Sequence, residues 1–158
     1  MTEADLAKYL EAAEKSPRRV AMAVAALPDK TLRYKPAAED RCILEILGHL
    51  ADSEIVYAHR LRQMLADVNP VIASIDHDAW AKNLGHTETP PAEMVALYGL
   101  NRHANLRLLR RLKPEQLEKS AYDPELKKDV TVAEYVEQMG AHGATHLQQI
   151  ETLKKQAK

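Results

Sequence analysis

The segment from residue 131 to residue 154, TVAEYVEQMGAHGATHLQQIETLK, constrains the fold more strongly than any other part of the sequence. Thr131 is followed three residues later by Glu134, and this spacing predicts a capping box at the start of a helix. Apolar residues then recur at helical spacing, and their stripe passes through His142 and His146. Both imidazoles are therefore predicted to point into the protein.

Two histidines four residues apart lie on one helix face, so their ring nitrogens can converge on one cation. The alternative is that each is a core histidine with its own hydrogen-bond partner. Because a buried imidazole without a partner is costly, and because small residues flank the pair, we favour a metal site. Such a site needs a third ligand from elsewhere in the chain. The small residues are Gly140, Ala141, Gly143 and Ala144.

The composition indicates an all-α protein. Hydrophobic residues make up 46% of the 158 residues, but aromatic residues only 4%, and Phe is absent. A core built from Leu, Ile, Val, Ala and Met is typical of a helix bundle. The length fits a single domain, residues 1–158, and is too short for two of ordinary size.

The charge balance and the cysteine count restrict the partners and the compartment. With 22 basic and 23 acidic residues, the chain has no electrostatic signature of nucleic-acid binding. No stretch approaches the length of a membrane span, and the N-terminal residues carry no secretion signal. A single cysteine, Cys42, excludes an internal disulfide and suits a reducing compartment. We therefore expect a cytoplasmic protein.

Three further long helices are predicted from apolar residues at helical spacing. The first occupies residues 2–27, where Pro17 allows either one kinked helix or two collinear pieces. The second runs from about residue 42 to 66 and the third from residue 91 or 92 to 112. On the third helix, Leu97 and Leu100 are predicted to face inward, and the arginines, including Arg102, are predicted to form a solvated face.

The connections differ in length and character. Residues 67–91 form a long segment with one short helix from Asp76 to Leu84. This segment either lies across one end of the bundle as a lid, with Trp80 as its anchor, or places Trp80 in the core as a plug. Residues 115–130 are predicted to form a short turn and a polar loop.

His49 is the preferred third ligand. It lies at the edge of the apolar stripe of the second helix, where a bundle builds pockets from facing side chains. The preference from spacing alone is modest, because His59 and His103 are also on predicted helices.

Four other residues are pocket candidates. Ser53 and Arg60 are predicted to project from the second helix in the same direction as His49. They are therefore predicted to line the approach to the metal. Asn101 and His103 flank the apolar stripe of the third helix and are weaker candidates. No catalytic residue is assigned.

Several motifs resemble the DinB-like superfamily, in particular its YfiT-like branch. They are CILEILGHLADSEIVYAHRL, the loop from Asp76 to Trp80, and GAHGATHLQQI. The resemblance implies a four-helix bundle with three histidines at one end, which correspond here to His49, His142 and His146. Cys42 stands where the family usually has a serine in the cap of the second helix, which weakens that cap.

The resemblance and the histidines together predict a divalent metal ion, Zn²⁺ or Ni²⁺ in the first place, with Fe or Mn as alternatives. Three imidazoles leave coordination positions open, as in catalytic sites. An open position can activate water or hold a thiol as thiolate. The residues between the helical pair are Gly-Ala-Thr, so the Glu of a zinc peptidase motif is absent.

We therefore predict a metal-dependent enzyme that hydrolyses a small molecule or transfers a low-molecular-weight thiol to it. The alternative is a non-catalytic metal-binding bundle with a structural, sensing or stress-response role. The second helix also carries apolar residues beyond one stripe, including Leu44, Ile55 and Val56. A second copy of the chain or the segment 67–91 would cover them, and we predict a homodimer.

Overall fold

The computed structural model describes residues 1–157. Within this range, four long helices and two short ones account for most of the chain, and a two-stranded hairpin precedes the last helix. The long helices are α1 (Glu3–Val24), α3 (Ile43–Ala66), α5 (Pro91–Leu109) and α6 (Val132–Gln156). The short helices are α2 (Asp29–Leu32) and α4 (His77–Asn83), and the strands are β1 (Ser120–Asp123) and β2 (Lys128–Thr131).

The four long helices form a bundle, as predicted. Helix α1 packs against α5 and α6, and α3 packs against the same two helices from the other side. The first two long helices of the chain, α1 and α3, therefore lie opposite each other. Helix α1 is continuous through Pro17, so residues 2–27 contain one long helix and not two collinear pieces. None of the helices within residues 1–157 is both long and apolar enough to cross a membrane.

The prediction for residues 115–130 was incomplete. They form a 3-10 turn, Pro114–Glu118, followed by the hairpin, in which Ser120 pairs with Thr131 and Asp123 with Lys128. The Asp123 carboxylate accepts hydrogen bonds from two backbone N–H groups of the turn, and Lys127 has a positive φ of 54°. Strands of four residues are too short to show an alternating apolar pattern in the sequence.

The prediction for α5 was wrong at several positions. Leu97 and Leu100 are exposed, the second by 71%, whereas Arg102 is only 1% exposed. The buried side chains of α5 are Met94, Tyr98, Arg102, Asn105, Leu106 and Leu109. Apolar periodicity assigned Arg102 to the surface because a charged residue is rarely buried without a partner.

The partner of Arg102 is Glu54 of α3, whose side chain is fully buried. The guanidinium Nη2 donates to Glu54 Oε1 at 2.6 Å, and Nη1 donates to the carbonyl oxygen of Met139 at 2.9 Å and to that of Ala13 at 3.4 Å. Asn105 Nδ2 donates to Glu54 Oε2 at 3.1 Å. This polar cluster therefore connects all four long helices at the centre of the bundle.

The apolar face of α3 is largely covered within the chain. Leu44 and Val56 are buried, and only Ile55, at 46%, is exposed. The residues from which the homodimer was predicted therefore form no continuous exposed face. The homodimer itself stays a prediction.

Removing Arg102 should destabilise the protein strongly. In Arg102→Ala the Glu54 carboxylate stays buried without its cation, and we expect a loss of about 3–5 kcal/mol in the free energy of unfolding, measured by urea denaturation. The matched control is Arg110→Ala at the C-cap of the same helix. Arg110 forms an exposed ion pair with Glu14, so its loss should cost about 0–1 kcal/mol. Equal effects of the two substitutions would contradict this assignment.

Candidate metal centre

Three histidines from two helices converge at one point of the bundle. His142 Nε2 lies 3.1 Å from His49 Nε2 and 3.1 Å from His146 Nε2. The potential ligand atoms of the three residues all lie within 4.8 Å of one another. The structure thus brings together the three residues that were predicted to form the site, with His49 from α3 and the other two from α6.

The spacing fits a shared divalent ion. Two imidazole nitrogens bound to one zinc ion at roughly 2.0–2.1 Å and at a near-tetrahedral angle lie about 3.3 Å apart. The distance of 3.1 Å between His142 Nε2 and each neighbour is close to that value. Two of the three nitrogen pairs therefore have the separation expected around one ion.

The electrostatic environment keeps these imidazoles neutral, which is the form that binds metals. Burial, together with the neighbouring His146 and His142, lowers the pKa of His49 to about 2. Burial, followed by the charge of His146, lowers the pKa of His142 to about 3. The pKa of His146 is also lowered by burial. Their nitrogen lone pairs are therefore available at neutral pH.

Gln149 fixes the orientation of one ligand. His146 Nδ1 lies 2.8 Å from Gln149 Oε1, and since a carbonyl oxygen only accepts, Nδ1 carries the proton and donates. His146 Nε2 is then unprotonated and faces the other two histidines. A hydrogen bond to the second ring nitrogen is the usual way in which proteins orient a metal-binding histidine.

Capping interactions set the starts of the two helices that carry the site. At α6, Thr131 Oγ1 accepts from the Glu134 N–H at 3.2 Å, and Glu134 Oε2 accepts from the Thr131 N–H at 2.7 Å, so the predicted capping box is confirmed. At α3, the Glu45 carboxylate accepts from the Cys42 N–H and from Lys35 Nζ, each at 2.8 Å. The ion pair with Lys35 reinforces the weaker cap at Cys42.

Two glycines let α6 approach α1 closely. A Cβ atom at Gly143 would overlap the hydroxyl of Ser16 and lie 2.7 Å from Tyr98 OH, and one at Gly140 would lie 3.0 Å from the backbone oxygen of Tyr9. The small residues beside the histidines therefore serve helix packing. They place α6 at the depth at which His142 and His146 meet His49.

The pocket candidates have different positions. Ser53 is buried one turn after His49, and its hydroxyl has no hydrogen-bond partner in the described part of the chain. Arg60 donates to Tyr135 OH at 2.9 Å and to the carbonyl oxygen of Ala73 at 2.5 Å, so it fastens the long segment to the bundle. Asn101 and His103 lie on α5, opposite α6, and within residues 1–157 neither forms a hydrogen bond with the three histidines.

The other two histidines considered as third ligand are exposed. His59 faces outward from α3, and His103 faces outward from α5. The structure therefore leaves His49 as the partner of the helical pair.

The segment 67–90 is fastened to the bundle at several points. The Ile72 N–H donates to the Tyr122 carbonyl oxygen at 3.0 Å, and Ile72 is 1% exposed. Arg41 pairs with Asp78 of α4 at 2.5 Å, and His86 Nε2 lies 2.9 Å from Asp52 Oδ2. Ile72, and not the half-buried Trp80, is thus the residue of this segment that enters the core.

Sequence analysis missed one residue beside the site, His77. Its ring centroid lies 4.9 Å from that of His49. Helix α4 has only seven residues, too few for a periodic pattern to show which face is inward. Its position follows from the contacts of the long segment, which the sequence does not reveal.

A cleft of about 690 Å³ adjoins His146. It lies between the connector before α3 and the C-terminal half of α6, and its lining includes Arg41, Thr145 and Gln149. A small molecule can therefore reach the edge of the histidine cluster from solvent.

A sequence model of the DinB superfamily matches residues 12–150. The chain belongs to this superfamily. This DinB-superfamily chain is 27% identical over 152 residues to an Oceanobacillus iheyensis protein named "Putative metal-dependent hydrolase OB0413", with 95% of this chain and 86% of that protein covered. It is 24% identical over 148 residues to a Bacillus subtilis protein named "Putative metal-dependent hydrolase YfiT", with 94% of this chain and 83% of that protein covered.

The fold of the DinB-superfamily chain matches a solved structure of YfiT from Bacillus subtilis. The TM-score is 0.93 at 22% sequence identity, and the match covers 99% of this chain and 89% of the other. That structure is described as a probable metal-dependent hydrolase with an unusual four-helix bundle topology. The four-helix bundle is therefore common to both proteins.

Gly143→Ala should disturb the site through helix packing. The added methyl group would force α6 away from α1, and we expect a loss of about 1–3 kcal/mol in the free energy of unfolding. Gly99→Ala in α5 is the matched control, because its nearest neighbour would be Pro17 Cβ at 3.7 Å, an ordinary contact. The control should be neutral or slightly stabilising. A neutral Gly143→Ala would show that the close approach is not required.

The metal-free protein should lose stability as the pH falls from 7 to 5. The unfolded chain protonates its histidines near pH 6.5, whereas the folded chain keeps His49 and His142 neutral down to a pH of about 2 and about 3, respectively. The unfolded state therefore binds more protons below pH 6.5, and each such proton costs about 1.4 kcal/mol of stability per pH unit. The free energy of unfolding, measured by urea denaturation in the presence of a chelator, should change less steeply with pH for His142→Gln than for wild type. Equal slopes would contradict the neutral buried imidazoles.

Proposed function

We propose that this protein is a metal-dependent enzyme that hydrolyses a small molecule at His49, His142 and His146. The observation that carries the proposal is the convergence of three neutral imidazoles, with His142 Nε2 at 3.1 Å from both neighbours. The names of the two relatives support a hydrolase, and the cleft beside His146 supports a small substrate.

The three histidines would hold the ion through their Nε2 atoms. A divalent ion such as Zn²⁺ or Ni²⁺, bound by three imidazoles, supplies Lewis acidity and lowers the pKa of a bound water or thiol. The surrounding residues keep the imidazoles neutral and oriented, since burial disfavours their protonation and Gln149 accepts from His146 Nδ1. The chain thus provides the donor set and the orientation of the ligands.

Two carboxylates of α3, those of Asp52 and Glu54, lie within the five residues that follow His49 in the sequence. Glu54 is fully buried and bonded to Arg102 and Asn105, and Asp52 faces His86. Because both of its oxygens accept hydrogen bonds, Glu54 is not free to act as a general base at the histidines.

Transfer of a low-molecular-weight thiol is the second candidate. Its support is the charge of the cleft, which Glu39, Asp40 and Arg41 line together with His146. Groups of both signs suit a small thiol that carries both an amine and a carboxylate. The same three histidines would hold the ion that keeps such a thiol as thiolate.

Metal content tests the ligand assignment. We expect wild type loaded with Zn²⁺ or Ni²⁺ and then desalted to retain about one ion per chain, and His142→Ala to retain far less, as measured by elemental analysis. His103→Ala is the control, because it removes an exposed histidine from another helix. A retained ion in His142→Ala, or equal loss in the control, would contradict the assignment.

Activity separates the enzyme from a non-catalytic metal-binding bundle. Metal-loaded wild type is assayed against a panel of small esters and amides, and against electrophiles in the presence of low-molecular-weight thiols. We expect turnover that disappears with a chelator, returns with added metal and is absent from His142→Ala. A tightly bound ion without turnover of any of these substrate classes would favour the structural or sensing role.

A further inference from the structure

Helix α4 places a fourth imidazole beside the three histidines. The ring of His77 lies 4.9 Å from the ring of His49, centroid to centroid, and the two ring planes are at 84°. The group of converging ligand atoms comprises His49, His142 and His146 and does not include His77. His77 therefore borders the site without joining the ligand set.

The polar atoms of His77 are free for another partner. The side chain is half-buried, and its neighbours are the rings of His49 and of Trp80, whose centroid is 6.1 Å away. Within residues 1–157, neither ring nitrogen of His77 has a hydrogen-bond partner. An imidazole that packs against a ligand but keeps an unused N–H can bind a molecule held next to that ligand.

The position of His77 is fixed by contacts at both ends of its segment. Near the start of α4, Asp78 pairs with Arg41, which precedes α3. After α4, His86 reaches Asp52 of α3, and its ring occupies the space that a Cβ atom at residue 48 would fill. Helix α4 is thus held against the same helix that carries His49. The absence of a side chain at Gly48 is what allows His86 to pack there.

We propose that His77 is a binding residue of this site and donates a hydrogen bond to a small molecule held beside His49. The proposal rests on the proposed function, because it requires a metal ion at the three histidines. It assigns the ligand a hydrogen-bond acceptor, such as a carboxylate or carbonyl oxygen, next to the atom that meets the metal. It also gives α4 a role in binding.

Azide binding to the cobalt-loaded protein tests the proposal. Co²⁺ is added to metal-free protein, and azide is titrated while the visible absorption of the ion is followed. His77→Ala should bind one Co²⁺ per chain as wild type does, but its azide dissociation constant should rise about threefold to tenfold, the effect of one lost hydrogen bond. His77→Gln, which keeps a donor, should restore part of the affinity, and His103→Ala should match wild type.

The outcomes separate this inference from the proposed function. If wild type binds no Co²⁺, the proposed function fails. If wild type binds Co²⁺ and azide but His77→Ala leaves the azide dissociation constant unchanged, only the role of His77 is overturned. Tighter azide binding in His77→Ala, or loss of Co²⁺ from it, would also overturn that role, because His77 would then be a ligand itself.

Discussion

The ion pair between Arg102 and Glu54 is the interaction on which the rest of the structure depends. Both side chains are almost fully buried, so each charge relies on the other and on the hydrogen bonds around it. The guanidinium also bonds to the carbonyl oxygens of Ala13 and Met139, and the carboxylate accepts from Asn105. One polar cluster therefore sets the relative positions of α1, α3, α5 and α6.

This cluster is directly linked to the histidine site. Glu54 lies on α3, five residues after His49, and the carbonyl oxygen of Met139 lies on α6, three residues before His142. A shift of Arg102 would thus move both helices that carry the histidines. The close contact at Gly143 also sets the position of α6, because it fixes how near α6 comes to α1. The site is held by polar bonds on one side and by helix packing on the other.

Sequence reasoning was most successful where local signals and geometry agree. The capping box at Thr131 and the inward stripe of α6 predicted where His142 and His146 lie. The edge position of His49, together with the family resemblance, favoured it as the residue that meets them. Periodicity failed on α5, because it counts apolar residues and treats a buried, paired Arg102 as a surface residue. Long-range pairing of this kind is not encoded within a single helix.

The long segment before α5 was the hardest part to predict. Its position depends on contacts with residues far away in the sequence, such as those of Arg60 with Ala73 and of Asp52 with His86. For that reason His77 was missed, although it lies beside His49, and the two alternatives for Trp80, an anchor of the lid or a plug of the core, both overlooked Ile72. The sequence predicted a long connection, but the interactions that hold it are properties of the folded chain.

X-ray absorption spectroscopy of the metal-loaded protein tests the central claim most directly, because it counts the ligands of the ion. Three imidazole nitrogens at about 2.0–2.1 Å are expected for zinc, together with at least one further light ligand that azide replaces. Two or fewer imidazoles would contradict the assignment of His49, His142 and His146. Four imidazoles without a replaceable ligand would show a closed structural site and contradict the proposal of an enzyme.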